Sequence, residues 1–243
     1  MRFGNIDRSE RLTLWSIFDF FQEAAICHAT NLGVGRDAMT KNGQAWILSR
    51  LSILVERRPS YREIVEVSTW PRGCEKLFAL RDYQICDAEG KAVVRGRGGW
   101  LVVDIEKKRP LRPQPVVETL PPNEGINAFP EGPAGLNPLE SLSKKSERIA
   151  SYSDIDSYGH TNNARYIQWI QDATDMDVLT NASHVRLDIN YLSEVMPGDA
   201  VELWTAPLDE SDGNFSCGFA YEGRRPASSE SPGQAVFRAE LRV

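Results

Sequence analysis

The stretch SDIDSYGHTNNARYIQWIQDAT, residues 153–174, crowds two acids, a Gly-His pair and two adjacent asparagines ahead of an apolar helical run. A helix start needs one polar group of this kind. Asp156 or Ser157 would serve as a cap, and an acid there suits the helix dipole. A cap does not call for a histidine. His160 stands four residues after Asp156. An imidazole that is neutral at pH 7 serves as a general base or orients one. Free N–H groups at a helix start, near Gly159 and His160, are suited to a developing oxyanion. A second acid, Glu194, lies in YLSEVMPGD just before a Pro-Gly turn. Read alone it is an ordinary solvated turn carboxylate. Beside an imidazole it would activate a water as nucleophile. His28 and His184 lack such company and read as structural.

These groups must be positioned by elements, and the elements occur twice. SRLSILVERRPSYREIVEVSTWP begins at Ser49 and HVRLDINYLSEVMPGDAVELWTAP at His184. At a constant offset of 136, Arg50 meets Arg186, Leu51 meets Leu187, Ile53 meets Ile189 and Thr69 meets Thr205. Both segments alternate apolar and polar residues, which is the strand period. Upstream, an offset of 149 aligns FFQEAA with WIQDAT. Leu14, Ile17, Phe18, Phe21, Ala24 and Ala25 follow helical spacing, and Tyr166, Ile167, Ile170, Ala173 and Thr174 repeat most of it. AVVRGR from Ala92 resembles AVFRAE from Ala235. Three blocks in one order indicate duplication. Each half reads as a fairly buried helix followed by antiparallel strands, an α+β arrangement.

The duplication isolates the polar cluster. At the 149 offset Asp7 matches Asp156, but Arg11 stands where His160 stands; at the 136 offset Arg58 stands where Glu194 stands. A set needed only for folding should appear in both copies. Its presence in one points to function.

Eight of the fourteen prolines fall between Pro110 and Pro138, a stretch that reads as a linker rather than regular helix or central strand. The expected division is 1–112, a linker over 113–143, and 144–243. A length of 243 residues suits one large domain or two small ones. The net charge of −6 gives no support to nucleic-acid binding. No apolar run reaches the roughly 18 residues of a membrane span. The start, MRFGNIDRSERLTLW, shows neither a signal core nor a transit pattern, so a cytoplasmic location is expected. Four scattered cysteines and three histidines without HExxH predict buried thiols and no metal site.

DIDSYGHTNNARYIQWI is similar to the D-x-D-x-x-G-H-x-N-N-x-x-Y signature of hotdog-fold thioesterases. FQEAAICHATNLGVG, WILSRLSILVERRPSYREIVEVSTWP and LRDYQICDAEGKAVVRGRGGWLVVDIEKKRPLRP narrow the match, because they resemble the acyl-acyl-carrier-protein thioesterases in the same order over essentially the whole chain. The resemblance implies a tandem double hotdog and hydrolysis of a long-chain acyl thioester on acyl carrier protein, with no cofactor. It implies Asp156, His160 and Glu194 as the catalytic set and assigns the first half to shaping the acyl pocket. Two positions depart from the family. Tyr158 replaces the asparagine of the D-x-N-x-H motif. Val195 follows the glutamate where the plant enzymes have cysteine, so no cysteine nucleophile stands there. With the asparagine missing, the carbonyl-positioning role falls to Tyr158, Asn162 or backbone N–H groups near Gly159. The acidic carrier implies a basic docking surface, for which Arg57, Arg58, Lys107 and Lys108 are the densest candidates; ordinary solvated charge is the competing reading. Three further alternatives stay open: an acyl-coenzyme A thioesterase, a hydratase or dehydratase of this fold, and a non-catalytic acyl-binding protein. The repeat supplies both halves of the usual hotdog pair and leaves homo-oligomer formation open.

Overall fold

Thr13 ends an extended lead-in and starts the first helix, its hydroxyl accepting from the Ser16 N–H at 3.3 Å. That helix, α1 (Leu14–Asn31), buries Leu14, Ile17, Phe18, Phe21 and Ala25 on one stripe. The computed structural model describes residues 1–208, 215–227 and 233–243. After a one-and-a-half-turn helix α2 (Arg36–Lys41) come β1 (Gln44–Val55), β2 (Glu66–Glu75), β3 (Phe78–Cys86), β4 (Ala92–Asp104) and the short β5 (Arg109–Leu111). A single turn, α3 (Gln114–Val117), precedes the second half: β6 (Ser143–Ile149), α4 (Asn163–Ala173), α5 (Met176–Asn181), β7 (Val185–Tyr191), β8 (Ala200–Pro207), β9 (Gly218–Arg224) and β10 (Ala235–Arg242). Helix α4 buries Tyr166, Ile167, Ile170 and Ala173, the stripe expected from its spacing.

The strands form one antiparallel sheet in the order β2-β3-β4-β1-β7-β10-β9-β8-β6, with β5 paired to β4. The two halves join where β1 pairs with β7. Ser52 lies opposite Asp188 in that ladder, and the two positions are equivalent under the offset of 136. An approximate two-fold axis therefore passes through this pair. The Ser52 hydroxyl donates to Asp188 Oδ1, and both side chains are buried.

Alternation sends Leu51, Ile53, Tyr83, Ile85, Leu187 and Ile189 to the face that carries both helices. Phe21 stacks on Tyr83 with centroids 4.7 Å apart. Gly96 allows this, because a Cβ there would stand 2.8 Å from the Phe21 ring. The helices lie side by side and run oppositely. The Trp15 N–H near the start of α1 donates to Gln171 near the end of α4 at 2.8 Å, while Arg36, beyond the end of α1, reaches Ser157 ahead of α4.

The opposite face of the sheet carries polar side chains, and the proline-rich segment lies across it. The Asp82 carboxylate holds Arg97 at 2.6 and 2.8 Å and accepts the Ala128 N–H at 2.9 Å. Ser52 accepts from the Ala134 N–H at 3.2 Å, and the Asn190 amide exchanges hydrogen bonds with Leu136 and Ala134 at 2.9 and 2.8 Å. Ala128, Phe129 and Pro133 are buried. The stretch read from its prolines as a linker is thus packed along the junction of the halves. Proline removes donors but leaves carbonyls and a fixed extended path, which the sheet's polar side chains meet.

No described helix is long and apolar enough to cross a membrane. Asp82→Ala should cost about 3–5 kcal/mol, because it leaves the Arg97 guanidinium buried without its partner. Urea unfolding followed by tryptophan fluorescence measures this, and a loss below 1 kcal/mol would mean Arg97 finds other support.

Candidate active site

The signature begins as a tight turn. The Asp156 N–H donates to the His160 carbonyl at 2.9 Å, and the Asp156 Oδ1 accepts the Tyr158 N–H at 2.8 Å. Gly159 sits at φ +84°, where a glycine carries no steric penalty. The Thr161 N–H then donates to the Val195 carbonyl at 2.9 Å. That bond ties the histidine turn to the loop after β7, which carries Glu194. As a result His160 Nε2 lies 3.6 Å from Glu194 Oε2. His160 is 35% exposed and Glu194 60%, so the pair faces solvent at the start of α4. At 3.6 Å the two groups do not share a direct hydrogen bond, but catalytic contacts commonly tighten only around substrate.

Asp156 is brought near but is engaged differently. Its carboxylate caps its own turn, and it fixes His160 through the backbone rather than through the imidazole. Asn162 is the N-cap of α4, its Oδ1 accepting the Ala164 N–H at 2.8 Å. The Gly159 N–H is taken up within the turn by the Asp156 carbonyl at 3.0 Å. The N–H groups of His160 and Asn163 make no hydrogen bond among the described residues and remain available to an oxyanion. Tyr158 is exposed and projects toward the first half, where Arg36 lies over its ring.

The first half repeats this framework with its chemistry removed. The Asp7 N–H donates to the Arg11 carbonyl at 2.9 Å, Asp7 Oδ1 accepts the Ser9 N–H at 2.8 Å, and the Leu12 N–H donates to the Pro59 carbonyl at 2.8 Å. Each bond has its equivalent in the second half. Glu10 takes the left-handed position at φ +57° that Gly159 occupies. Arg58, at the place of Glu194, is 4% exposed, pairs with the Asp7 carboxylate and donates to the Leu179 and Thr180 carbonyls at 2.9 and 3.3 Å. Burial raises the Asp7 carboxyl, but the bonds from Ser9 and Arg58 and the Arg58 charge together hold it below its ordinary value. An ion pair therefore fills the position of the second site.

This corrects one expectation. Arg58 is buried in that ion pair, so it cannot form part of a docking surface. Arg57 is exposed but engages Glu63 and Asp87 at 2.8 and 3.3 Å. Lys107 and Lys108 are exposed in the turn between β4 and β5.

Two residues at the site were given no role there from the sequence, although Tyr166 closes the signature. Arg225 donates to the Ser193 hydroxyl at 3.0 Å and to the Glu194 carbonyl, clamping the loop that presents the carboxylate. Tyr166 lies beneath, where burial, with Glu194 and Asp156 nearby, pushes its hydroxyl well above the usual tyrosine range despite the Arg225 charge. An isolated arginine or an aromatic residue on a helix stripe is too common to be singled out from spacing. A shallow groove of about 840 Å³ borders Asp156, lined by Tyr152, Ile155 and Pro197 among others, and neither His160 nor Glu194 lines it. Among the described residues, no group of three or more His, Cys, Asp or Glu is arranged to hold a metal ion.

Comparison with known proteins bears on the whole chain. Residues 1–118 match the acyl-ACP thioesterase N-terminal domain and residues 140–238 the acyl-ACP thioesterase C-terminal domain, ACP being acyl carrier protein. A chloroplastic palmitoyl-acyl carrier protein thioesterase of Cuphea hookeriana is 25% identical, covering 91% of this chain and 56% of its own length. A chloroplastic oleoyl-acyl carrier protein thioesterase of Arabidopsis thaliana is 26% identical over 79% of this chain and 57% of its own. The chain thus spans little more than half the length of these curated relatives. Among solved structures, an acyl-ACP thioesterase from Bacteroides thetaiotaomicron superposes with a TM-score of 0.84 at 24% identity, covering 99% of this chain and 93% of that one. A 12:0-ACP thioesterase from Umbellularia californica gives 0.81 at 17%, with 99% and 93% covered. The double hotdog expected from the sequence is the fold of this chain.

The capping bond of Asn162 can be tested by substitution. Asn162→Ser should keep the cap and Asn162→Ala lose about 1 kcal/mol. Thermal unfolding of both variants checks this; equal stability would remove the capping assignment.

Proposed function

The chain belongs to the acyl-ACP thioesterase family, and from that premise we propose that it hydrolyses the thioester of long-chain acyl-ACP, releasing a free fatty acid and ending chain elongation. The observation that carries the reading is the approach of His160 to Glu194 at the start of α4, in the half whose duplicate is closed by an ion pair. In this mechanism Glu194 and His160 take a proton from a water, and its oxygen attacks the thioester carbonyl. The His160 and Asn163 N–H groups receive the oxyanion, since the Gly159 N–H is taken up in its own turn and Tyr158 projects away toward Arg36. Collapse of the tetrahedral intermediate breaks the carbon–sulfur bond. The thiol of the carrier arm leaves with the proton from His160, and the carboxylic acid remains. Asp156 keeps His160 in place by holding its carbonyl and shaping the turn. No residue of this scheme needs a cofactor.

The division of labour follows. Residues 1–112 would shape the acyl pocket, the packed segment over 113–143 would brace the sheet, and 144–243 would carry the chemistry. The four cysteines are free thiols but not the buried ones expected from the sequence, Cys27 and Cys74 being exposed and Cys86 and Cys217 half-buried. Of the expected docking surface, Lys107 and Lys108 stay exposed, as does Arg57, whose charge is engaged by Glu63 and Asp87; an acidic carrier would be steered by the two lysines.

Thiol release from palmitoyl or oleoyl chains on acyl carrier protein, measured beside the same chains on coenzyme A, tests the reading. Faster release from the carrier is expected, and hydrolysis of coenzyme A esters alone would move the substrate to that carrier. Glu194→Gln and His160→Ala should each lower kcat by roughly 10²–10⁴. Full turnover in a folded His160→Ala protein would refute the mechanism. Reversing the charge of Lys107 and Lys108 should raise KM for the carrier substrate and flatten its salt dependence; an unchanged KM would remove them from the docking surface.

A further inference from the structure

Arg36 belongs to the first half, at the opening of α2, yet its contacts are with the signature turn of the second. Its guanidinium carbon lies 4.0 Å from the centroid of the Tyr158 ring. Nη1 donates to the Ser157 hydroxyl at 3.2 Å and Nη2 to the Ser157 carbonyl at 3.4 Å. All these partners are neutral, and Arg36 forms no ion pair among the described residues. Arg36 and Tyr158 are both exposed. A positive charge outside any ion pair is thus held beside the turn that ends in His160.

Other basic groups lie at the far end of α2. Lys41 closes α2. The Gly43 carbonyl accepts the Ile105 N–H at 2.9 Å, which sets the turn bearing Lys107 and Lys108 against the end of α2. Asp37, Asp104 and Glu106 are the acids among them, and Asp104 takes Lys107 at 3.8 Å.

An acyl group on a carrier protein hangs from a phosphopantetheine arm, with a thioester at one end and a phosphodiester at the other. If the thioester lies at His160, the arm must leave across the rim of the site, carrying a negative charge. A guanidinium held over a ring keeps the N–H donors not taken by Ser157 in one plane, which suits a phosphate better than a lysine ammonium does. The geometry points to Arg36 as the receiver of the phosphate of the carrier arm, with the Tyr158 ring as its platform. This rests on the reading of the substrate as a carrier-borne thioester. It also gives Tyr158, the departure from the family motif, a task other than replacing the asparagine amide. Arg36 would then be a positioning residue, since the phosphate lies far along the arm from the reacting carbonyl.

The competing account is a staple that only holds the halves together. Calorimetric titration with hydrolysis-resistant, amide-linked analogues separates the two without requiring turnover. The probes are palmitoyl-phosphopantetheine and palmitoyl-pantetheine, which differ only in the phosphate. The wild-type chain should bind the phosphorylated analogue about tenfold more tightly at low salt. In Arg36→Gln that ratio should fall to about twofold or less, and Arg36→Lys should restore part of it. A wild-type ratio near one, or a ratio unchanged in Arg36→Gln, overturns the proposal. A staple alone would lower the melting temperature of Arg36→Gln and leave the ratio intact. Thiol release by the wild-type chain is measured separately. Its absence would refute the thioesterase reading, while the binding ratio still decides the role of Arg36.

Discussion

The pairing of β1 with β7 is the contact on which the rest of the molecule depends. Without it each half would expose a long, flat strand edge. With it the chain has one sheet, and the two helices share one face. The pair at the centre, Ser52 and Asp188, shows how duplication solved a symmetric problem asymmetrically. Two identical residues facing each other across an axis must be self-complementary. Two aspartates would repel. A hydroxyl opposite a carboxylate gives a donor and an acceptor, and Arg186 satisfies the other carboxylate oxygen at 2.9 Å.

The same divergence separates the two sides of the axis. Both halves build an aspartate turn ahead of a helix and tie it to the loop after the following strand. The framework is therefore structural, and what differs is the pair of side chains it presents. In the first half, Arg58 and Asp7 meet as a buried ion pair. Such a pair persists because removing either member would strand a charge. In the second half, His160 and Glu194 remain open to solvent and near each other. The catalytic proposal thus concerns two positions on a scaffold whose stability both copies secure. Asp156 belongs mostly to the scaffold, since Asp7 does the same work where no histidine follows.

The proline-rich segment completes the junction from the other side. A sheet face rich in Asp82, Arg97, Ser52, Asp188 and Asn190 would be costly to cover with apolar chain. A backbone with few N–H groups and many carbonyls can cover it, provided the remaining donors find carboxylates and hydroxyls. Ala128, Ala134 and Leu136 supply those donors. The halves so covered also meet at the site, where Arg36 from one borders the turn that carries His160 in the other.

The sequence by itself determined the class of the fold, the duplication and the place of the polar cluster. These are local or periodic properties: helical and strand spacing survive in Leu14 to Ala25 and in Arg186 to Asn190, and the loss of histidine from one copy is visible by aligning the chain with itself. It also placed His160 and Glu194 in one half. The tertiary structure decided what each polar residue does, because that depends on partners distant in the chain. Spacing could not show that Asn162 is a cap, that the Asp156 carboxylate turns inward to its own loop, or that Arg58 is buried against Asp7 while its neighbour Arg57 is not. Nor could it bring Arg225 to the Glu194 loop or Arg36 to Tyr158, since both contacts exist only because the sheet fixes which loops meet at the ends of the two helices.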